Sequence, residues 1–168
     1  MERIRAIQIP AASLLSRYQQ PGTYADCFYT HVPGAATHAQ FVEAFYTSPL
    51  FKLERILLGV FIARPSTDAE ARRLALGERS TFAAWRVEAS APNEVLMSAG
   101  RTRSWLMVVP SAEGRGPGTQ LLFGSAVVPG RGGRLGAGFH ALLGFHKLYS
   151  RALLLSARRR LFSHIRAA

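Results

Sequence analysis

The chain has 168 residues, 48% of them apolar, and a formal net charge of +11. That is enough apolar material for one domain with a sizeable core, and it excludes a disordered chain. A single cysteine, Cys27, rules out an internal disulfide; with no uncharged apolar run of membrane-spanning length and no secretory-leader pattern, a reducing, cytoplasmic setting is expected.

Residues 1–22 are indistinct, with a short strand expected between Ile4 and Ile9 and a turn at Pro21-Gly22. Tyr24 to His31 reads as an aromatic-rich strand with Tyr24, Asp26, Phe28 and Thr30 on one face. Thr37 and Gln40 have capping-box spacing before an apolar run containing Phe41, Val42, Phe45 and Tyr46. Ser48-Pro49 starts a second, strongly apolar helix from Phe51 to Phe61, which Pro65 stops. Ser66 or Thr67 caps a third, polar helix whose acids come first, whose arginines come later and whose stop is Gly77. Residues 66–78 therefore read as a surface helical insertion.

The hydrophobic period then changes from 3.6 to 2. Thr81 to Ala89, Glu94 to Ala99, Arg101 to Val109 and Thr119 to Val128 are four expected strands, and their short connections favour an antiparallel meander. A Gly- and Arg-rich loop, Pro129 to Gly138, leads into a long final helix. On a helical wheel Phe139, Leu142, Leu143, His146, Tyr149, Leu153 and Ala157 form one apolar face. Phe145, Leu148, Ala152 and Leu155 form a second, and His140, Lys147, Arg151 and Arg158 form a basic stripe. The first face should meet the sheet, the second another helix or a partner. The expected fold class is α+β: helices on one face of an antiparallel sheet, in a single domain over residues 1–168.

Four stretches carry a resemblance. Tyr24-Ala25-Asp26-Cys27-Phe28, Phe82 to Val87, Arg103-Ser104-Trp105-Leu106 and Leu142 to Tyr149 look like an uncharacterised bacterial domain family of the START-like superfamily, which includes the birch-allergen and polyketide-cyclase-type proteins. The resemblance implies a helix-grip fold: a curved antiparallel sheet grips a long C-terminal helix, with an apolar ligand cavity between them. Such a domain sits behind a nucleotide-binding reductase domain in some bacterial proteins. The resemblance carries over no catalytic residue.

His146 lies on the packing face of the last helix. It is either a donor or acid/base group in a cavity, with Tyr149 beside it, or a core histidine satisfied locally. Arg103 and Trp105 share a strand face and would suit a mixed cavity, arginine for an anionic group and tryptophan for a ring. Trp85, beside Ala83 and Val87, reads first as core. Asp26 is a lone acid in an aromatic strand: a base, or the partner of a nearby arginine. No metal motif is present, since His140 and His146 lie about 240° apart on a helix. The run Gly130 to Gly136 misses the dinucleotide-loop spacing, so no cofactor is expected.

Residues 1–94 carry a balance of +1 and residues 95–168 a balance of +10. Such asymmetry fits an anionic partner, but no nucleic-acid-binding motif accompanies it. The expected function is binding of a small hydrophobic or amphipathic molecule, with Trp85, Trp105, Arg103, His146, Tyr149 and Asp26 as candidate contacts. Two alternatives stand beside it. One is a cyclase- or hydratase-type enzyme using His146 and Asp26. The other is an interaction module whose last helix docks on a partner reductase or, less favoured, on an anionic membrane surface. A homodimer is compatible with any of these.

Overall fold

Residues Tyr24–Pro33 form strand β2, which pairs antiparallel along its whole length with Gly118–Val127, strand β7. Preceding β2 are a two-residue strand, Arg5–Ala6 (β1), and a 3-10 turn, Leu14–Tyr18. The meander consists of Thr81–Phe82 (β3), Trp85–Ala91 (β4), Glu94–Ala99 (β5), Thr102–Ser111 (β6) and β7. The helices are His38–Tyr46 (α1), Asp68–Ala75 (α2) and Ala137–Ile165 (α3). This computed structural model describes residues 4–53, 66–111, 117–130 and 137–165, with the side chains of α3 from Leu143 to Ser163.

The result is an α+β fold: a seven-stranded antiparallel sheet of order β1-β2-β7-β6-β5-β4-β3, with the long C-terminal helix packed against it. It is compatible with a helix grip. The first long strand joins the last, so β7 is an interior strand covered on both faces. Leu121 and Phe123 point into the main core with α1 and α3, while Leu122 and Ala126 point into a smaller core on the opposite face. A strand buried on both faces has no polar face to show, which explains its nearly continuous apolar sequence.

Local signals set the helix starts. The Thr37 hydroxyl accepts from the Gln40 N–H, and the Gln40 side chain accepts from the Thr37 N–H. The same reciprocal pair joins Thr67 and Glu70, so Thr67 rather than Ser66 is the cap of α2. Residues 49–53 are helical, with the Phe51 N–H donating to Ser48 Oγ; the rest of that predicted helix lies outside the described residues. Helix α2 is not wholly a surface element, since Ala71 and Leu74 are buried in the main core.

One expectation needs correction. Thr81 to Ala89 is not one strand. Ala83, at φ 51°, reverses the chain so that Phe82 pairs with Trp85. That turn swings Trp85 back over the core. The N-terminal segment has its short strand and its turn at Pro21-Gly22 as expected and is otherwise largely irregular apart from the 3-10 turn. It covers the outer face of the sheet, where Ile9 and Leu15 pack with Cys27, Leu96, Trp105 and Leu122. Gly124 permits this approach: a Cβ there would come 2.4 Å from Leu15 Cδ2 and 3.1 Å from Trp105 Cε3.

Helix α3 divides as the wheel predicts over its described part. Leu153 and Ala157 are buried and His146 and Tyr149 half-buried toward the sheet, and Leu154 and Leu161 join that core. Phe145 and Leu148 are exposed. Arg158, from the basic stripe, donates through Nε to the His31 carbonyl at 3.0 Å. The side chains of Phe139, His140 and Leu142 lie outside the described residues.

Candidate functional site

Between α3 and the sheet lies a cavity of about 130 Å³. Phe45 from α1, Phe51, Trp85 from β4, Phe123 from β7 and Tyr149 and Leu153 from α3 supply its apolar wall; Ser104, Ser125, Ser150 and His146 supply most of its polar side. Strand alternation puts Phe123 and Ser125 on one face of β7, and helical spacing puts His146, Tyr149 and Leu153 above them.

Behind the cavity runs a chain of four polar groups. Tyr24 Oη donates to Asp26 Oδ2 at 2.7 Å, and Ser125 Oγ lies 2.6 Å from Asp26 Oδ1 and 2.8 Å from His146 Nε2. An ionised carboxylate only accepts, so the Ser125 proton points at Asp26 and the serine oxygen accepts from the imidazole N–H. His146 Nε2 is 3.9 Å from Asp26 Oδ2, and the Tyr24 ring meets the imidazole edge-on at 5.5 Å. The serine therefore sits between carboxylate and imidazole. A nucleophilic serine needs the imidazole in the middle, taking the serine's proton, so this geometry does not prime Ser125 for acyl transfer.

Burial, followed by the hydrogen bond to Asp26 and the charge of Asp26, holds the Tyr24 phenol above the ordinary tyrosine range. A raised folded value contributes stability that is complete below the unfolded phenol's pKa of about 10 and is lost as pH rises past it. Spectrophotometric titration of the phenolate band should show one tyrosine that resists ionisation. That component should vanish in Tyr24→Phe and move to lower pH in Asp26→Asn. A wild-type titration in which every tyrosine ionises in the ordinary range would contradict the arrangement. On the other face of β2, burial and then the Asp26 charge push the Cys27 thiol up to about 12, so Cys27 is no thiolate nucleophile at neutral pH.

The six residues singled out in the sequence separate into three groups. His146, Tyr149 and Trp85 line the cavity. The Trp85 indole N–H is buried and has no hydrogen-bond partner among the described residues. Asp26 stands one step behind, held by the hydroxyls of Tyr24 and Ser125 rather than by an arginine. Trp105 is not brought into this cavity. It lies fully buried in the outer core, where its Nε1 donates to Glu94 Oε2 at 2.6 Å. Arg103 borders the cavity, but its guanidinium is engaged on the outer face, 2.6 Å from Glu88, 2.9 Å from Tyr18 Oη and 2.9 Å from the Gly100 carbonyl. Alternation put Arg103 and Trp105 on one face correctly; the N-terminal segment, not α3, covers that face.

Sequence reasoning missed Ser125, Phe45 and Phe123 as wall residues. Ser125 did carry a signal, as a polar residue, with Thr119, on the face that holds Leu121 and Phe123. No cluster of three or more metal-ligating side chains occurs among the described residues. No helix among them is long and apolar enough to cross a membrane. Comparison of the chain with protein-family models, curated proteins and solved structures finds no match.

Proposed function

We propose that this chain is a START-like, helix-grip domain that binds a small amphipathic molecule between its sheet and α3. The observation that carries the reading is Trp85: a buried donor without a partner among the described residues, on the wall of a cavity that also offers the His146–Ser125 pair. An unmade hydrogen bond in a buried place costs about 1–3 kcal/mol, which an acceptor on a ligand would recover. The volume sets the size. An apolar protein cavity of about 150 Å³ accepts benzene, so a half-open pocket of about 130 Å³ limits the buried part of a ligand to about one small ring, with a polar substituent reaching its open side.

Phenol is a suitable probe. The chain has two tryptophans and so two indole N–H resonances. Phenol should move that of Trp85 and leave that of Trp105, already bonded to Glu94, in place. His146→Phe should keep the fold and weaken phenol about fivefold, as expected for one lost hydrogen bond of about 1 kcal/mol. A Trp85 resonance that ignores millimolar phenol, or an affinity indifferent to His146→Phe, would remove the reading.

One observation favours a second, catalytic reading on the same fold, of cyclase or hydratase type. Ser125 couples His146 to Asp26, so an imidazolium formed by proton uptake from a substrate would be stabilised through the serine. Ser125→Ala then lowers turnover more than it lowers substrate affinity.

A further inference from the structure

We infer that the outer face of α3 docks on an anionic lipid bilayer. The inner face of this helix is already satisfied: Ser150, Leu153, Leu154, Ala157 and Leu161 are buried. Two contacts fix its rotation. Arg158 donates to the His31 carbonyl, and Ser156 Oγ accepts from the Leu50 N–H. With the helix so held, Phe145 and Leu148, one turn apart, stand 65% and 66% exposed on the side away from the sheet. The core makes no use of them.

Their surroundings decide the occupant. Arg159 is exposed on the same side of the helix and Lys147 at its edge, Arg151 holds its guanidinium over the Phe28 ring of β2, and the sequence from Ala137 to Ile165 contains no aspartate or glutamate. An aromatic and a leucine projecting between cations match the two signals of interfacial binding: apolar insertion at the headgroup boundary and attraction to anionic lipid. A second copy of this chain fits poorly, because a two-fold contact through this face would oppose like charges. Among the described residues no helix can span a bilayer, so the contact is with its surface.

The docking face adjoins the cavity. The Phe145 ring stacks on Tyr149, with centroids 6.0 Å apart, and Tyr149 is part of the cavity wall. Docking does not depend on the cavity's holding a ligand, and the phenol titration leaves it untouched either way.

The test is co-sedimentation of the full chain with vesicles of phosphatidylcholine alone and of phosphatidylcholine mixed with phosphatidylglycerol. Binding is expected to the mixed vesicles only, and to weaken as salt shortens the reach of the charges. The exposed-site double variant Phe145→Ser/Leu148→Ser should lose it. Lys147→Gln/Arg159→Gln should weaken it by about thirtyfold. Leu76→Ser, at an exposed leucine after α2, should leave it unchanged. Circular dichroism checks that each variant is folded. Failure to bind mixed vesicles, equal binding to both vesicle types, or full binding by the serine double variant would overturn the inference. So would a dimer that the double variant dissociates in a protein that ignores vesicles.

Discussion

Phe45→Ala is expected to lower stability by about 3–5 kcal/mol, the range for deleting a large buried aromatic. Phe45 is buried at the centre of the aromatic core. Its ring contacts those of Phe41 at 6.3 Å, Tyr46 at 5.3 Å, Phe51 at 5.6 Å and Phe123 at 4.9 Å. It is also part of the cavity wall, so the new void opens into the existing cavity instead of standing alone. The loss should therefore be partly recoverable: benzene or phenol, binding only the folded form, should raise the denaturation midpoint of the variant in a concentration-dependent way. Urea unfolding with and without the ligand checks both parts. A loss below about 1 kcal/mol would mean that the site collapses and that Phe45 does not hold the wall apart.

Glu94→Ala is expected to cost about 2–4 kcal/mol, because it strands a buried and a half-buried donor at once. One carboxylate oxygen, Oε2, accepts from Trp105 Nε1 at 2.6 Å and from the Leu14 N–H at 2.9 Å. Glu94 thereby ties the N-terminal 3-10 turn to the meander across the outer core. Because both bonds end on the same oxygen, the amide oxygen of Glu94→Gln can accept both, and that variant should lose only about 1 kcal/mol of charge assistance. Urea unfolding gives the stabilities, and the Trp105 indole N–H resonance reports the bond directly. If glutamine proves as damaging as alanine, the charge and not the acceptor geometry is what this core requires.

Only one of these two side chains was legible beforehand. Phe45 belonged to an apolar helix face after a capping box, a local pattern that specifies core. Glu94 looked like the polar first residue of a strand, and its burial depends on a segment some eighty residues earlier in the chain folding over it. The polar chain shows the same division. Asp26 stood out as a lone acid and His146 as a polar group on a packing face, but the residue that joins them is Ser125, 99 positions from one and 21 from the other.

The sequence by itself determined the elements and their faces. Capping boxes start α1 and α2, a change of period opens the meander, and alternation assigns Phe123 with Ser125 and Arg103 with Trp105 to common faces. Those are local properties, fixed by the backbone geometry of a helix or a strand. Tertiary structure alone decided which face meets which element. The N-terminal segment took the outer face of the sheet and drew Trp105 and the Arg103 guanidinium there, while α3 took the inner face and formed a small, half-open cavity with Trp85, Ser125 and His146 on its wall. Periodicity says that two residues look the same way; what they look at is set by long-range packing, which pattern within an element does not encode.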